Sequence, residues 1–511
     1  MQPRYAHPTT PMAVPSLKLY DICMRRVSMI LKGRFRDEAP NPFVVLPSCI
    51  VHDLIAFIFD LYSTGGFRAY YIEPLLLTGR VKHITLQNLR LEEELLPTLR
   101  SFTICRRLKS LNLINVCEFD LAIVSRLLEE LLKALKNLEE LHCSVSFSLA
   151  AIRKCKKLRI AKLHFTPESY LDDLLEEVDG QTQAHENLSV LTLCGRRAEE
   201  FLHFKEVAEL LVNCPRLHSL GYLDVSKALR YLHGSDTSNI RKYGLESCCW
   251  REHKVLGWSE YEDDFLLSIR TAALACPMLK ELVVKIPRRH YEGAISVLRT
   301  LRNLTYLEIE FDRGKKDFRP EIFSLLSEIG SNLQHLALHR VDNIEFDAIL
   351  KFCPELVSLK IDCKHVVGDW TETSANPRQL QRLAFFSSEG YSGSNSLRLL
   401  LSKCCNLQEL FLKNSEFLTD SFLSRLLKDN PIVLAQLKIA CICDCCLTKD
   451  GLKNFLSYAK KLEKISLEST KISEEEAENL IREMNSEVTI IPDYDEGIFE
   501  EFFHRRRYVC A

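Results

Sequence analysis

The densest set of reactive side chains in the sequence is Cys441, Cys443, Cys445 and Cys446. Thiols so close together could hold zinc, which takes four sulfur or imidazole ligands in a tetrahedron. No second cysteine pair and no spaced histidines follow them, so the spacing favours a turn carrying small, soft side chains. Asp493, Asp495, Glu496 and Gly497 have the composition of a calcium loop without its ligand register. Six further cysteines recur at intervals: Cys105, Cys155, Cys214, Cys276, Cys353 and Cys404. Three of them precede a proline, which stops a helix, and this predicts buried residues at tight helix ends rather than ligands. A Gly-rich phosphate loop, a His-Glu-x-x-His pair and a Gly-x-Ser-x-Gly elbow are all missing from the sequence. The expectation is a chain without catalytic residues, metal or cofactor.

What remains is side chains suited to gripping another macromolecule. Leu19, Cys23 and Val27 stand at i, i+4, i+8, which lines them up along one helix and could lay them into a groove. Leu46 and Pro47 open a second apolar run containing Ile50 and Leu54, with proline near its start. Two of the three tryptophans, Trp250 and Trp258, fall near Tyr261 in one stretch, and such aromatics are enriched where proteins meet. With 67 basic and 69 acidic residues the net charge is −2, so nothing calls for nucleic acid or an anionic membrane; the Arg505-Arg506-Arg507 run is too short to change this.

These residues are positioned by a repeat. An apolar residue, two positions, a second apolar residue, one position and a third recur fifteen times, from Val81-Ile84-Leu86 to Leu462-Ile465-Leu467. The series includes Leu279-Leu282-Val284, Leu304-Leu307-Ile309 and Leu407-Leu410-Leu412, with Ile240-Tyr243-Leu245 and Leu434-Leu437-Ile439 among its members. Most starts are roughly 23 to 30 residues apart, the period of a leucine-rich repeat. The last two apolar positions alternate with polar ones, as a strand with one buried face requires. Helical stripes such as Phe119–Leu135 and Glu200–Val212 lie between the strands. No unit can close a core alone, so units must stack into an α/β solenoid, a curved horseshoe with a small helical N-terminal cap and a strand-lined concave face. Polar or exposed positions in and beside the strands are expected to face the concave surface, among them Glu308, His335, His339, Lys360, Arg382, Phe411 and Lys413. The period stretches between Leu245 and Leu279, and Trp250, Trp258 and Tyr261 in that stretch are the first candidates for substrate contact.

The placement of the six recurring cysteines three positions before the frame of a repeat resembles the cysteine-containing leucine-rich repeats of ubiquitin-ligase substrate receptors. The segment Leu19-Tyr20-Asp21-Ile22-Cys23 through Val27 resembles the BC box of elongin-C-binding proteins, in which the leucine enters an elongin C pocket and the cysteine packs beside it. Leu46-Pro47 and the apolar run after it resemble a cullin box; Ser48 and Cys49 depart from the Leu-Pro-Leu-Pro of the cullin-5 type and lean toward cullin 2. Together these resemble the Zyg-like and PRAME-like receptors of elongin-BC/cullin-2 ligases. The resemblance implies a non-catalytic adaptor of a cullin-RING ubiquitin ligase. It would bind elongin B/C through Leu19, Cys23 and Val27, and cullin 2 through Leu46, Pro47, Ile50 and Leu54. The repeats would hold an unidentified protein substrate, with His335, His339, Lys360, Arg382 and Phe411 joining the aromatics above.

Leu46-Pro47 through Ile58-Phe59 also resembles the opening helix of an F-box, which would mean Skp1 and cullin 1. No tryptophan occurs before Trp250, whereas an F-box usually supplies one. A plain repeat scaffold without a ligase is the third reading. The expected organisation is a disordered 1–15, a helical 16–75, a repeat array 76–490 and a C-terminal cap and tail 491–511. The polar, proline-rich first residues lack the apolar core of a signal peptide. No long uncharged apolar stretch suggests a membrane span, so reduced thiols and a cytoplasmic or nuclear location are expected.

Overall fold

The structure, a computed structural model, describes residues 19–32, 41–61, 69–87, 95–114, 121–145, 147–164, 171–178, 181–183, 185–194, 204–234, 239–251, 265–312, 319–367, 377–387, 394–414, 416–467, 470–484 and 488–491. Trp258, Tyr261, Trp370, the 1–15 segment and all but the first residue of the 491–511 tail lie outside the described residues.

Among the described residues, sixteen strands pair in chain order into one sheet. They are β1 His83–Gln87, β2 Ser110–Ile114, β3 Glu140–Cys143, β4 Ile160–His164, β5 Val190–Cys194, β6 Ser219–Asp224, β7 Ser247–Arg251 and β8 Glu281–Ile286. After them come β9 Tyr306–Phe311, β10 His335–Ile344, β11 Ser358–Val366, β12 Arg382–Ser387, β13 Glu409–Lys413, β14 Ile439–Ile442, β15 Lys464–Ser466 and β16 Thr489–Ile490. Every pairing within this sheet is parallel, so each link between strands must cross back over one face. Helices such as Leu121–Ala134 and Phe204–Asn213, or short 3-10 turns such as Leu149–Lys154, make those crossings. The chain is a leucine-rich-repeat solenoid of the α/β class. A small antiparallel hairpin, Glu176–Val178 with Gln181–Gln183, interrupts the array before β5.

Register shows why the frame recurs. Leu282 pairs with Leu307 and Val284 with Ile309; one strand on, Leu307 pairs with Leu336 and Ile309 with Leu338. Frame residues therefore stack on frame residues, and each is almost wholly buried. At roughly 1.5–3 kcal/mol per buried aliphatic side chain, a one-residue slip would turn this whole row to the open face. The helices complete the core with one face each. In Phe204–Asn213 it is Val207, Ala208, Leu210 and Leu211.

Two frames differ from the sequence expectation. The seventh is Leu245-Cys248-Trp250 rather than Ile240-Tyr243-Leu245: Cys248 pairs with Leu220 and Leu282, and Trp250 with Val284. A cysteine and a tryptophan occupy positions where leucine is usual, which disguises the repeat. The fourteenth is Leu437-Ala440-Ile442 rather than Leu434-Leu437-Ile439, because Ala440 pairs with Leu410 and Ile442 with Leu412. Packing chose the register that buries Ala440 and Ile442 and leaves Ile439 on the other face.

Ahead of the array lie α1 (Leu19–Lys32), a 3-10 turn Pro42–Val45, and α2 (Ser48–Leu61). They are joined to the first repeat by specific bonds. The Lys82 backbone N–H donates to His52 Nε2 at 2.9 Å, and the Arg80 guanidinium donates to the Leu46 carbonyl. Partial burial, then the nearby His83 and Lys82, hold the His52 imidazole below its ordinary range, which keeps it a neutral acceptor.

Candidate docking surfaces

Among the described residues, six of the fifteen exposed large apolar side chains lie in the short stretch 19–61. Met24, Ser28 and Leu31 turn one side of α1 inward, and α1 packs on α2 and on residues 69–71. Ser28 is satisfied there, its hydroxyl donating to the Met24 carbonyl at 2.9 Å. The opposite side presents Ile22, Cys23, Met29 and Ile30 to solvent, with Met29 57% exposed. Val44 and Val45 follow in the 3-10 turn, Val45 at 80% exposure. Asn41 ties that turn down by donating to the Pro74 carbonyl at 2.6 Å, close to the exposed Leu77.

This placement divides the residues expected to bind elongin and cullin. Leu19 begins α1, but its side chain lies outside the described residues. Cys23 is exposed, while Val27 is half-buried against the main core, because successive i+4 steps drift around the helix. Pro47 is exposed; Leu46 and Ile50 are half-buried on the core, and Leu54 is inside it. Leu54 is therefore a core residue of α2, and the expectation that it touches a cullin is corrected. The exposed Ile22, Met29, Ile30, Val44 and Val45 were missed in the sequence. For Ile22, Met29 and Ile30 the signal was the helical spacing opposite Met24, Ser28 and Leu31.

The second surface is the face of the sheet that the helices do not cover. Its central positions are crowded although no described element lies on them: Cys249, Val283, Ala337, Ala384 and Phe411 are all buried, Ala384 completely. Side chains from adjacent parallel strands close over one another, as they must on a concave surface. Here Glu308 accepts from the Tyr306 hydroxyl at 2.8 Å, and His339 Nε2 lies 3.3 Å from its other oxygen. His335 lies beside Tyr306, with ring centroids 5.9 Å apart. Arg382 Nε is 3.0 Å from Glu409, and Lys360 Nζ is 5.9 Å from the centre of the Phe386 ring. His335, His339, Lys360 and Arg382 thus share the expected face, Lys360 mostly buried. Phe411 is on that face but covered, packed with Ala384 and Cys441 beneath Phe386 and Ile439.

Trp250 is not a contact residue. It is fully buried in the core at the third frame position of β7, and the expectation that it binds substrate is corrected for that reason.

Cysteine placement follows packing. Cys105, Cys155, Cys214, Cys276, Cys353 and Cys404 are all buried, and the Cys155 thiol points at the Leu132 carbonyl 3.4 Å away. Burial pushes the Cys105, Cys155, Cys276 and Cys353 thiols up to about 12, which leaves them protonated. Cys441 and Cys445 pack into different clusters, on the open face and in the main core. Among the described residues no group of three or more His, Cys, Asp or Glu side chains is arranged to hold a metal ion. No helix among them is long and apolar enough to cross a membrane.

An asparagine ladder went unread in the sequence. Asn137, Asn187, Asn303, Asn332 and Asn406 each stand immediately before a frame leucine. Each donates to a backbone carbonyl of the preceding repeat, those of Arg106, Lys156, Pro277, Arg302 and Arg378, at 2.8–3.1 Å. The recurring Asn-Leu pair was its signal.

No protein-family model and no curated protein matches the sequence. Solved structures do resemble the chain in backbone. A leucine-rich-repeat protein of Leptospira interrogans is similar over 83% of this chain and 92% of its own, with TM-score 0.29 and 14% identity. The complex of Rad7 and Elc1 in yeast contains a chain similar over 84% of this one and 91% of its own, with TM-score 0.35 and 14% identity. A protein of Bacteroides fragilis is similar over 48% of this chain and 74% of its own, with TM-score 0.32 and 16% identity.

Proposed function

We propose that this chain is a protein-binding adaptor, the substrate receptor of an elongin-BC cullin-RING ubiquitin ligase. The N-terminal helices attach it and the repeats hold the substrate. One observation carries the reading: the side of α1 turned away from the array presents Ile22, Cys23, Met29 and Ile30 to solvent. Apolar side chains left open on a fixed helix favour burial in a partner's groove. Cys23 belongs to the segment that resembles a BC box. Val44, Val45 and Pro47 are exposed and would extend the contact toward a cullin in place of the buried Leu54. Catalysis would come from holding the substrate near a recruited conjugating enzyme, which requires no reactive side chain here. The reading goes with a cytoplasmic or nuclear location.

The test is co-purification of elongin B/C and cullin 2 with the full chain. Leu19→Ala with Cys23→Ala is expected to abolish elongin C capture and leave the thermal melt unchanged. Capture retained by this double variant overturns the elongin reading. Recovery of Skp1 instead would favour the F-box alternative. The burial of Ile55, Ile58 and Phe59 stands against that alternative, because it commits α2 to the core.

A further inference from the structure

We propose that the open face of the sheet between β11 and β15 binds a short segment of a partner protein in which bulky apolar side chains are flanked by carboxylates. The inference rests on the reading of the array as the substrate-holding half, and is independent of how α1 is attached.

The first observation is an apolar cluster that the fold does not require. Ala384, Phe411 and Cys441 pair in register across β12, β13 and β14 and form a cluster separate from the main core. Phe386 and Ile439 lie half-buried against it and present the accessible apolar surface. The same central row holds Asn112, His142, Lys162, Thr192 and Glu308 on other strands, so stacking of repeats does not demand apolar residues there. Cys249, Val283 and Ala337 are apolar on this row too, but Ala384, Phe411 and Cys441 on three successive strands form a cluster of their own. No described element lies over it, and the half-open Phe386 and Ile439 make it a place suited to a covering partner.

The second observation is charge. Lys360 borders the cluster on β11, Arg382 on β12, Lys413 beside Phe386 on β13, and Lys464 beside Ile439 on β15. Against these four cations stand Asp362 and Glu409, and Glu409 is held by Arg382 at 3.0 Å. Three strands earlier the sign reverses. On β8 and β9 the same face carries Glu281, Glu308 and Glu310 with Lys285, and Lys285 and Arg340 lie 3.5 Å and 3.0 Å from Glu310. The open face is therefore polarised along the solenoid, acidic at β8–β9 and basic around the apolar cluster.

These features specify the occupant. Apolar anchors supply affinity, while complementary charge sets orientation and encounter rate, so the segment needs both apolar side chains and carboxylates. From β11 to β15 is four strand spacings, roughly 19 Å, which about six extended residues cover. Bare polyanions fit less well, because the Ala384–Phe411–Cys441 row and Phe386 offer them no charged or amide donor.

The probe is a fluorescein-labelled peptide with a leucine-phenylalanine centre between aspartate pairs, titrated into the full chain and followed by anisotropy. Two controls accompany it, one with lysines replacing the aspartates and one with glycines replacing the centre. The first peptide is expected to bind at least about tenfold more tightly than either control, with affinity falling as salt rises. Lys413→Glu with Lys464→Glu, and separately Phe386→Ser, should each weaken it at least about tenfold while leaving elongin C capture unchanged. Leu19→Ala with Cys23→Ala should leave peptide binding unchanged, so failure of the attachment reading and failure of this proposal separate cleanly. No binding of the first peptide, equal binding of the lysine peptide, an unaffected charge-reversal variant, or equally strong competition by a single-stranded RNA each overturns it.

Discussion

Helix α1 and the repeat helix Leu121–Ala134 have the same length, 14 residues, and each buries one apolar side. The repeat helix uses its apolar side internally: Val124, Leu127, Leu128, Leu131 and Leu132 are buried, and among its described side chains Ile123 is the one exposed large aliphatic. Among the described side chains of α1 the buried apolar residues are Met24 and Leu31, while Ile22, Met29 and Ile30 face water. A repeat helix has neighbours before and behind it, and stacking consumes its apolar surface. At the head of the array α1 has a neighbour on one side and still carries apolar residues on the other. The cysteines divide in the same way. Both described cysteines of the N-terminal helices, Cys23 and Cys49, are exposed, whereas among the described cysteines of the array only Cys405 is exposed and Cys446 partly so. Surplus apolar surface at the end of a solenoid is what an attachment surface needs, and the array's interior shows how little surplus the fold tolerates elsewhere.

If that contrast holds, damage inside the array should cost folding and damage on α1 should not. Trp250→Ala removes a fully buried indole and is expected to destabilise the chain by about 3–5 kcal/mol in urea unfolding; a loss below about 1 kcal/mol would place the ring at the surface instead. Acidification comes next. Burial, helped by Lys162 on the next strand, holds His142 down at about 4. Its folded pKa lies below the unfolded one, so its contribution is intact above about 6.5 and is lost as pH falls toward 4. Between pH 7 and pH 5 this should cost about 1–2 kcal/mol after allowing for its partial exposure, and His142→Gln should flatten that part of the profile. Breaking one rung of the asparagine ladder is smaller. Asn332→Ala should cost about 0.5–1 kcal/mol, since it removes an exposed hydrogen bond between neighbouring repeats. Smallest is the triple change Ile22→Ser, Met29→Ser, Ile30→Ser. It should shift stability by less than about 0.5 kcal/mol while lowering binding of a hydrophobic dye and removing elongin C capture. A drop comparable to that of Trp250→Ala would mean these side chains belong to the core, and the contrast would fail.

Legibility in the sequence followed the same division. Frame leucines announce themselves because one period and one burial pattern act together, and most of the frames seat as their spacing predicts. The two that shifted, at Leu245 and Leu437, did so where Cys248, Trp250 and Ala440 stand in for leucine and several neighbouring leucines offer rival registers. Trp250 misled for a physical reason: a large aromatic beside a long connection suits a binding loop and a buried strand equally well. Phe411 and Lys360 were rightly placed on the open face, but their burial depends on side chains from adjacent strands, which spacing within one repeat does not report.

By itself the sequence determined the class of fold. An apolar frame repeated along the chain can be buried only by stacking unit on unit, and buried cysteines, Cys-Pro pairs and Asn-Leu pairs sit where the turns must be. Tertiary structure alone decided which apolar residues are spent and which are left over. Leu54 and Trp250 are taken into the core, Val27 is half taken, and Ile22, Met29, Ile30 and Val45 are left in water. It also decided the grouping of Lys360, Arg382, Lys413 and Lys464 around Phe386 and Ile439, residues scattered over more than a hundred positions of chain. Periodicity acts within a repeat and can be read locally; exposure and charge grouping are sums over neighbours that only the stacked array brings together.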